Sequence, residues 1–213
     1  MKVIIITGSS GFIGSHVLKE LSKQYYLRCL ISASSKRIDN PNIEYFVTNF
    51  NQPIFDDSAF KNVDAVVHLL SDKRSFSFDI FKINVEFTKR LVEESIKAKI
   101  TKFIYLSSET VQLPGTDNYV QSKKLAEKEV ISHKNYLILR PTVVYGNNDN
   151  SNIGFLIKLI RHLPIIPIIG NGKQLIQPAS ITDIIRCIVA GLNHDIKGTH
   201  LIAGDRPISY IDI

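Results

Sequence analysis

Tyr119 and Lys123 stand four residues apart in Tyr119-Val-Gln-Ser-Lys-Lys-Leu-Ala-Glu127. The pattern predicts a helix running on through Val130 and Ile131, so the two side chains share one face. A phenol ordinarily titrates near pH ~10, too high for efficient proton transfer at neutral pH. An ammonium beside it favours the phenolate and lowers that value. Ser108 follows the apolar run Lys102-Phe-Ile-Tyr-Leu106 and Ser107, where its hydroxyl could hold the same substrate oxygen. The chemistry implied is proton removal by Tyr119 as a hydride leaves the same carbon. A YxxxK pair alone is weak, because helices carry such pairs by chance. Its weight comes from what precedes it.

What precedes it is Thr7-Gly8-Ser9-Ser10-Gly11-Phe12-Ile13-Gly14. Lys2 to Thr7 is a continuous β-branched run and predicts a buried parallel strand. Helical periodicity begins at Phe12. Glycines suit a tight strand-to-helix turn and let the backbone approach a ligand closely, while the helix start offers free N–H groups to a pyrophosphate. Gly8, Gly11, Phe12, Ile13 and Gly14 are therefore candidate cofactor contacts. A second strand, Leu27 to Ile31, leads into Ser32-Ala-Ser-Ser-Lys36-Arg37, with no carboxylate before Asp39. Ser32, Ser35, Lys36 and Arg37 either cradle a 2′-phosphate, which leans towards NADP over NAD, or form a solvated loop. Asn49 follows the strand Ile43–Val47, and Leu70 and Ser71 follow Val63–Leu69, at strand ends where ligands of open α/β sheets gather. His68 reads as a packed, hydrogen-bonded histidine.

Strands and helices alternate with short links, which predicts an α/β fold, a doubly wound parallel (Rossmann) sheet. Phe81 to Ala98 predicts a helix with Phe81, Ile83, Phe87, Leu91, Val92, Ser95 and Ile96 inward. Tyr136 to Arg140 is a sixth strand stopped by Pro141. Residues 1–146 read as a dinucleotide-binding domain and 147–213 as a segment supplying the last sheet elements and a partial C-terminal substrate lobe. That segment holds a polar loop over 147–152, an amphipathic helix over 153–163 and an irregular stretch over 164–178. A helix capped by Thr182 or Asp183, a final strand Thr199–Ala203 and a cap at Ser209 follow.

The net charge of +6 is scattered, with no basic stripe and no nucleic-acid motif. Cys29 and Cys187 lie in apolar runs and read as free thiols, fitting a reducing, cytoplasmic setting. The histidines show no ligand spacing, so no metal site is expected, and no apolar stretch reaches membrane-spanning length.

Taken in order, these motifs resemble the extended short-chain dehydrogenase/reductases, specifically the NAD-dependent epimerase/dehydratase group. The resemblance rests on the glycine turn, Val63-Asp-Ala-Val-Val-His-Leu69, Asn84-Val-Glu-Phe-Thr88, Phe103-Ile-Tyr-Leu-Ser-Ser108, Tyr119 to Glu127, Leu139-Arg-Pro-Thr-Val-Val-Tyr-Gly146 and Ile181-Thr-Asp183. It implies Tyr119 as the acid/base, Lys123 on the nicotinamide ribose, and Ser108 in the family's Ser/Thr position. It also implies Gly8, Gly11 and Gly14 on the pyrophosphate, Asn49 at the adenine, Pro141 and Thr142 near the nicotinamide, and Asn84 among the cofactor contacts. A nucleotide sugar is the substrate class it implies, and a homodimer the assembly. Three departures stand out. Asn49 replaces an aspartate common in the family, Leu70-Ser71 replaces a small-residue turn, and only ten residues separate Ser108 from Tyr119. Members usually continue past position 213, so the chain reads as truncated or unusually small.

Three functions follow. The first is hydride transfer on a nucleotide sugar, by epimerase, dehydratase or reductase chemistry. The second is a non-catalytic NAD(P)-binding structural or sensor module, and the third a reductase of a non-sugar carbonyl. Dehydration would also need an acid/base pair near the substrate; by the resemblance Glu109 falls where the family's dehydratases carry an acid, with Thr110 where they often have a second, and Glu109 otherwise belongs to a solvated loop.

Overall fold

Uninterrupted aliphatic runs bury both of their faces, and in a computed structural model of the chain they assemble into one seven-stranded, all-parallel sheet. The structure describes residues 1–73, 79–115, 117–147, 152–162 and 170–212. Its first half runs β1 (Val3–Thr7), α1 (Phe12–Leu21), β2 (Tyr26–Ile31), β3 (Ile43–Val47), β4 (Ala65–His68), α2 (Asp79–Phe81), a π turn (Lys82–Glu86) and α3 (Phe87–Lys97). The second half runs β5 (Lys102–Leu106), α4 (Asn118–Ile131), β6 (Tyr136–Pro141), β7 (Val144–Tyr145), α5 (Asn152–His162), β8 (Leu175–Ile176), β9 (Ala179–Ser180), α6 (Ile181–Asn193), β10 (Gly198–Ile202) and β11 (Ile208–Ser209). The strand order is β10-β6-β5-β4-β1-β2-β3. Connections reverse direction between β1 and β4, which opens a crevice at the carboxyl ends of those strands.

Each face of the sheet has its own core. On one, Ile4, Ile6 and Leu27 pack with Val17 and Leu21 of α1 and Ile184 and Ile188 of α6. On the other, Ile5, Val66, Phe103 and Tyr105 pack with Phe87 and Leu91 of α3 and Ala126 and Val130 of α4. The doubly wound architecture expected from the alternation is thus present. Two small sheets, β7 with β9 and β8 with β11, lie outside it. Part of the expected polar loop (148–151), the last residue of the expected helix (163) and part of the irregular stretch (164–169) lie outside the described residues.

Four local expectations are corrected. The helix expected over 81–98 is broken by the π turn, which adds a residue to one turn and brings Asn84 inside, 1% exposed. Ile96, expected inward, is 49% exposed, because Phe87, Leu91, Ser95, Thr88 and Val92 already supply the buried stripe of α3. The cap of α6 is Ser180, whose hydroxyl accepts from the Thr182 amide at 3.1 Å, not Thr182 or Asp183. β10 ends at Ile202 and is not the last strand; Ser209 lies in β11, and its hydroxyl bonds the Asp212 carboxylate.

Candidate active site

The glycine turn closes so tightly that Gly8 and Gly14 leave no room for a side chain. Gly8 has φ +71°, and a Cβ there would lie 2.6 Å from the Leu70 amide nitrogen; on Gly14 it would lie 1.9 Å from the Gly8 carbonyl oxygen. Gly11 is the N-cap of α1, its amide donating to Gly8 O at 3.1 Å, and no side chain caps the helix. The first-turn N–H groups therefore stay available to an anion beside Phe12 and Ile13.

Phe12 and Ile13 form one wall of a cavity of about 750 Å³ above the ends of β4, β5 and β6. Ser71, Ser108, Tyr119, Lys123, Pro141 and Thr142 line the same cavity, so the candidates for proton transfer share it with the helix start. A donor-rich, uncapped helix start opening on a cavity of this size fits the phosphates of a dinucleotide.

Tyr119 lies in the first turn of α4, fixed by Asp117, whose carboxylate accepts from the Val120 amide at 3.1 Å. Its phenol lies beside the side-chain hydroxyls of Ser108 and Ser71, which line the same cavity. Burial pushes the phenol above its ordinary value, those two hydroxyls oppose the rise, and the Asp117 charge adds to it. Ser108 caps the single turn Glu109–Gln112 and accepts from the Thr110 amide at 3.3 Å and from the Thr110 hydroxyl at 3.0 Å. Glu109, expected in a solvated loop, is half-buried against the cavity, and burial raises its carboxyl.

Lys123 behaves differently from expectation. It was expected to depress Tyr119, but its ammonium donates to Tyr105 Oη at 3.1 Å and to Leu106 O at 3.0 Å. The long side chain reaches the end of β5, and the phenol above it rises. Burial first, then the charge of Lys73, push Lys123 down to about 7, with Glu127 opposing.

Several other candidates lie outside the cavity lining. Asn84 is spent within the protein: its Oδ1 accepts from the Asp72 amide at 2.7 Å, and its Nδ2 donates to Asp72 O and Ser122 Oγ, each at 2.9 Å. It ties the loop after β4 to α4 and does not line the cavity. Leu69, not Leu70, faces the cavity; Leu70 packs into the opposite core, with its backbone against Gly8. Asn49 is exposed and accepts from the Asn51 amide at 3.0 Å. Ser32, Lys36 and Arg37 follow β2, outside the cavity lining. Ser32 and Ser35 hydroxyls are 2.9 Å apart, and the Arg37 guanidinium lies over the Tyr45 ring at 5.7 Å. Thr142 lines the cavity while its hydroxyl donates to Gln177 O at 2.5 Å.

His68 is packed as expected. Thr88 Oγ1 donates to Asn84 O at 2.7 Å, so it accepts from His68 Nε2 at 2.8 Å, and Thr7 Oγ1 then donates to Nδ1 at 2.6 Å. Burial, and then the Lys123 charge, hold this imidazole down to about 3, hence neutral. Tyr105 and Lys73 escaped the sequence reading. Tyr105 had one signal: a phenol inside an unbroken apolar strand must find a buried partner. Among the described residues no group of side chains could hold a metal ion, and no helix is long and apolar enough to cross a membrane.

Comparison with known proteins bears on this geometry. The family described as "NAD dependent epimerase/dehydratase family" matches residues 4–204. UDP-glucose 4-epimerase of Vibrio cholerae is 26% identical over 223 residues, covering 91% of this chain and 67% of that protein. The human sterol-4-alpha-carboxylate 3-dehydrogenase, decarboxylating, is 26% identical over 206 residues, covering 84% of this chain and 54% of the relative. The chain thus spans between half and two thirds of these relatives. Among solved structures, UDP-glucuronic acid 4-epimerase from Bacillus cereus in complex with NAD superposes with a TM-score of 0.83 at 23% identity, covering 99% of this chain and 80% of that one. That likeness is one of fold.

Proposed function

The chain belongs to the NAD dependent epimerase/dehydratase family, and we propose that it transfers hydride between NAD(P) and a carbon of a nucleotide sugar, with Tyr119 as acid/base. One observation carries this reading: Ser108, Tyr119 and Lys123 face the same cavity as the uncapped start of α1. Gly8, Gly11 and Gly14 keep the turn compact, and the Phe12 and Ile13 end of the helix receives the pyrophosphate. A bound nicotinamide would supply the hydride acceptor or donor. Ser108 holds the substrate oxygen for Tyr119, which takes its proton or gives one back. Lys123, where it is protonated, places positive charge beside the nicotinamide end. With its phenol raised by burial, Tyr119 waits protonated and ionises as positive charge gathers around it. Ser32, Lys36 and Arg37 take a 2′-phosphate at the adenine end, which makes NADP the better cofactor. Residues 147–213 contribute to the substrate lobe, with β8, β9 and β11 among its described parts.

A second reading has its own support. Phe12, Ile13, Leu69, Val120, Val143 and Val144 make the cavity wall largely apolar, and one relative is a sterol-carboxylate dehydrogenase. These favour a hydroxyl or carbonyl on a non-sugar skeleton. The decisive measurement is NADH and NADPH fluorescence on binding, followed by turnover of UDP- and dTDP-sugars and of hydrophobic alcohols and ketones. Tyr119→Phe should leave cofactor binding within about twofold and lower turnover by 10² or more, the scale of a lost general acid–base. Cofactor binding with no turnover sensitive to Tyr119→Phe would instead identify a non-catalytic binding module.

A further inference from the structure

Lys123 is held from beneath. A protonated amine carries three N–H donors. Among the described residues Tyr105 Oη accepts one at 3.1 Å and the Leu106 carbonyl another at 3.0 Å. Two fixed acceptors set the direction of the third N–H, and Lys123 lines the cavity. Tyr105 is itself immobile: it is 1% exposed, and its ring stacks on His68 at 5.2 Å and 25° between planes. His68 is bonded at both ring nitrogens, to Thr7 and Thr88. The contact thus runs from the cavity through Lys123 and Tyr105 to the hydrogen-bonded cluster of His68, Thr7 and Thr88.

We propose that Tyr105 is the positioning residue for Lys123, its phenol oxygen stabilising the ammonium and aiming the remaining N–H at the cofactor. The inference rests on the proposed function only for the ligand which that N–H meets, a hydroxyl of the dinucleotide; the anchoring belongs to the unliganded protein. Other groups face the same ammonium. Glu127, one turn along α4, attracts it but is already gripped by Arg140 through two hydrogen bonds, at 2.9 and 2.6 Å. Lys73, from the loop after β4, repels it. His68 from β4 is neutral, and Tyr119, one turn back on α4, carries its proton. With burial holding Lys123 to about 7, its charge near neutrality depends on each acceptor it keeps.

The test is an NMR titration of unliganded protein carrying ¹³Cε-lysine, with Lys123 assigned through Lys123→Met. Wild type should titrate near 7, and Tyr105→Phe, which keeps the ring and its stacking, should move the midpoint down by roughly one pH unit. At pH 7 the variant should bind dinucleotide several-fold more weakly and recover as the pH is lowered and the ammonium re-forms. A structural role alone would weaken binding equally at every pH. An unmoved Lys123 midpoint, or an affinity loss that acid does not repair, overturns the inference. Should Tyr105→Phe fail to fold, 3-fluorotyrosine at position 105 weakens the acceptor while keeping the ring, and the same midpoint shift is required. Wild type that binds neither NAD nor NADP would defeat the proposed function and leave the titration to judge the anchoring.

Discussion

At the scale of single residues, the buried ammonium of Lys123 sets an unusual pH dependence. Its value falls from 10.5 to about 7 on folding. Between those limits the unfolded chain binds the extra proton, so stability rises with pH from about 7 towards 10 and is lost in the other direction. Lys123→Met keeps the length and apolar stem and cannot titrate. Urea midpoints measured from pH 7 to 9.5 should therefore rise in wild type relative to the variant, whereas a pH-independent difference would mean that Lys123 is not held as described. Tyr119 and Ser108 were legible in the sequence because helical period and strand end place their backbones. The end of a lysine side chain is another matter. Its four rotatable carbons reach any of several acceptors, and only the fold decides that Tyr105 and Leu106 are nearest. The partners of Asn84 were hidden for a related reason: the π turn rotates it inward, and its amide bonds Asp72 and Ser122.

At the scale of elements, two helix starts govern the site, and each can be altered alone. At α1, Gly14→Ala would drive a methyl to within 1.9 Å of the Gly8 carbonyl, so the turn must shift. The expected loss is roughly 1–3 kcal/mol of stability, with dinucleotide affinity falling more steeply than the melting temperature; unchanged affinity would place the phosphates elsewhere. At α4, Asp117→Ala removes the acceptor for the Val120 amide and should lose about 1 kcal/mol in chemical denaturation, while Asp117→Asn keeps most of it. Asn also removes the charge that helps raise Tyr119, so the pH profile of turnover should shift to lower pH in that variant. The elements themselves were largely readable. Strands such as Ile43–Val47 and Lys102–Leu106 were bounded from apolar runs alone. The misses, the π turn and the Ser180 cap, are places where a local hydrogen bond outweighed a periodic pattern: in Ser180-Ile-Thr-Asp183 three residues can cap, and the backbone settles which one does.

At the scale of the whole molecule, the reversal of strand order between β1 and β4 divides the carboxyl edge of the sheet into two halves. One lies over β4, β5 and β6, where the cavity is. The other lies beyond β2, where Ser32, Lys36 and Arg37 follow the strand and no carboxylate appears before Asp39. A ligand that spans both binds only the folded chain, so it should raise stability by RT ln(1 + [L]/Kd), about 2.7 kcal/mol at a hundredfold excess over Kd. For a chain of 213 residues that corresponds to a rise of roughly 5–10 °C in melting temperature. The halves can then be separated. A hydrogen bond to a charged phosphate is worth about 1.5–3 kcal/mol, so replacing Lys36 and Arg37 together by alanine should cut the NADP-induced rise and leave that of NAD nearly intact. Gly14→Ala should reduce both, because both cofactors carry the pyrophosphate. Equal rises with NAD and NADP in wild type, unaffected by the double alanine change, would show that the basic loop is merely solvated and that the preference for a 2′-phosphate is wrong.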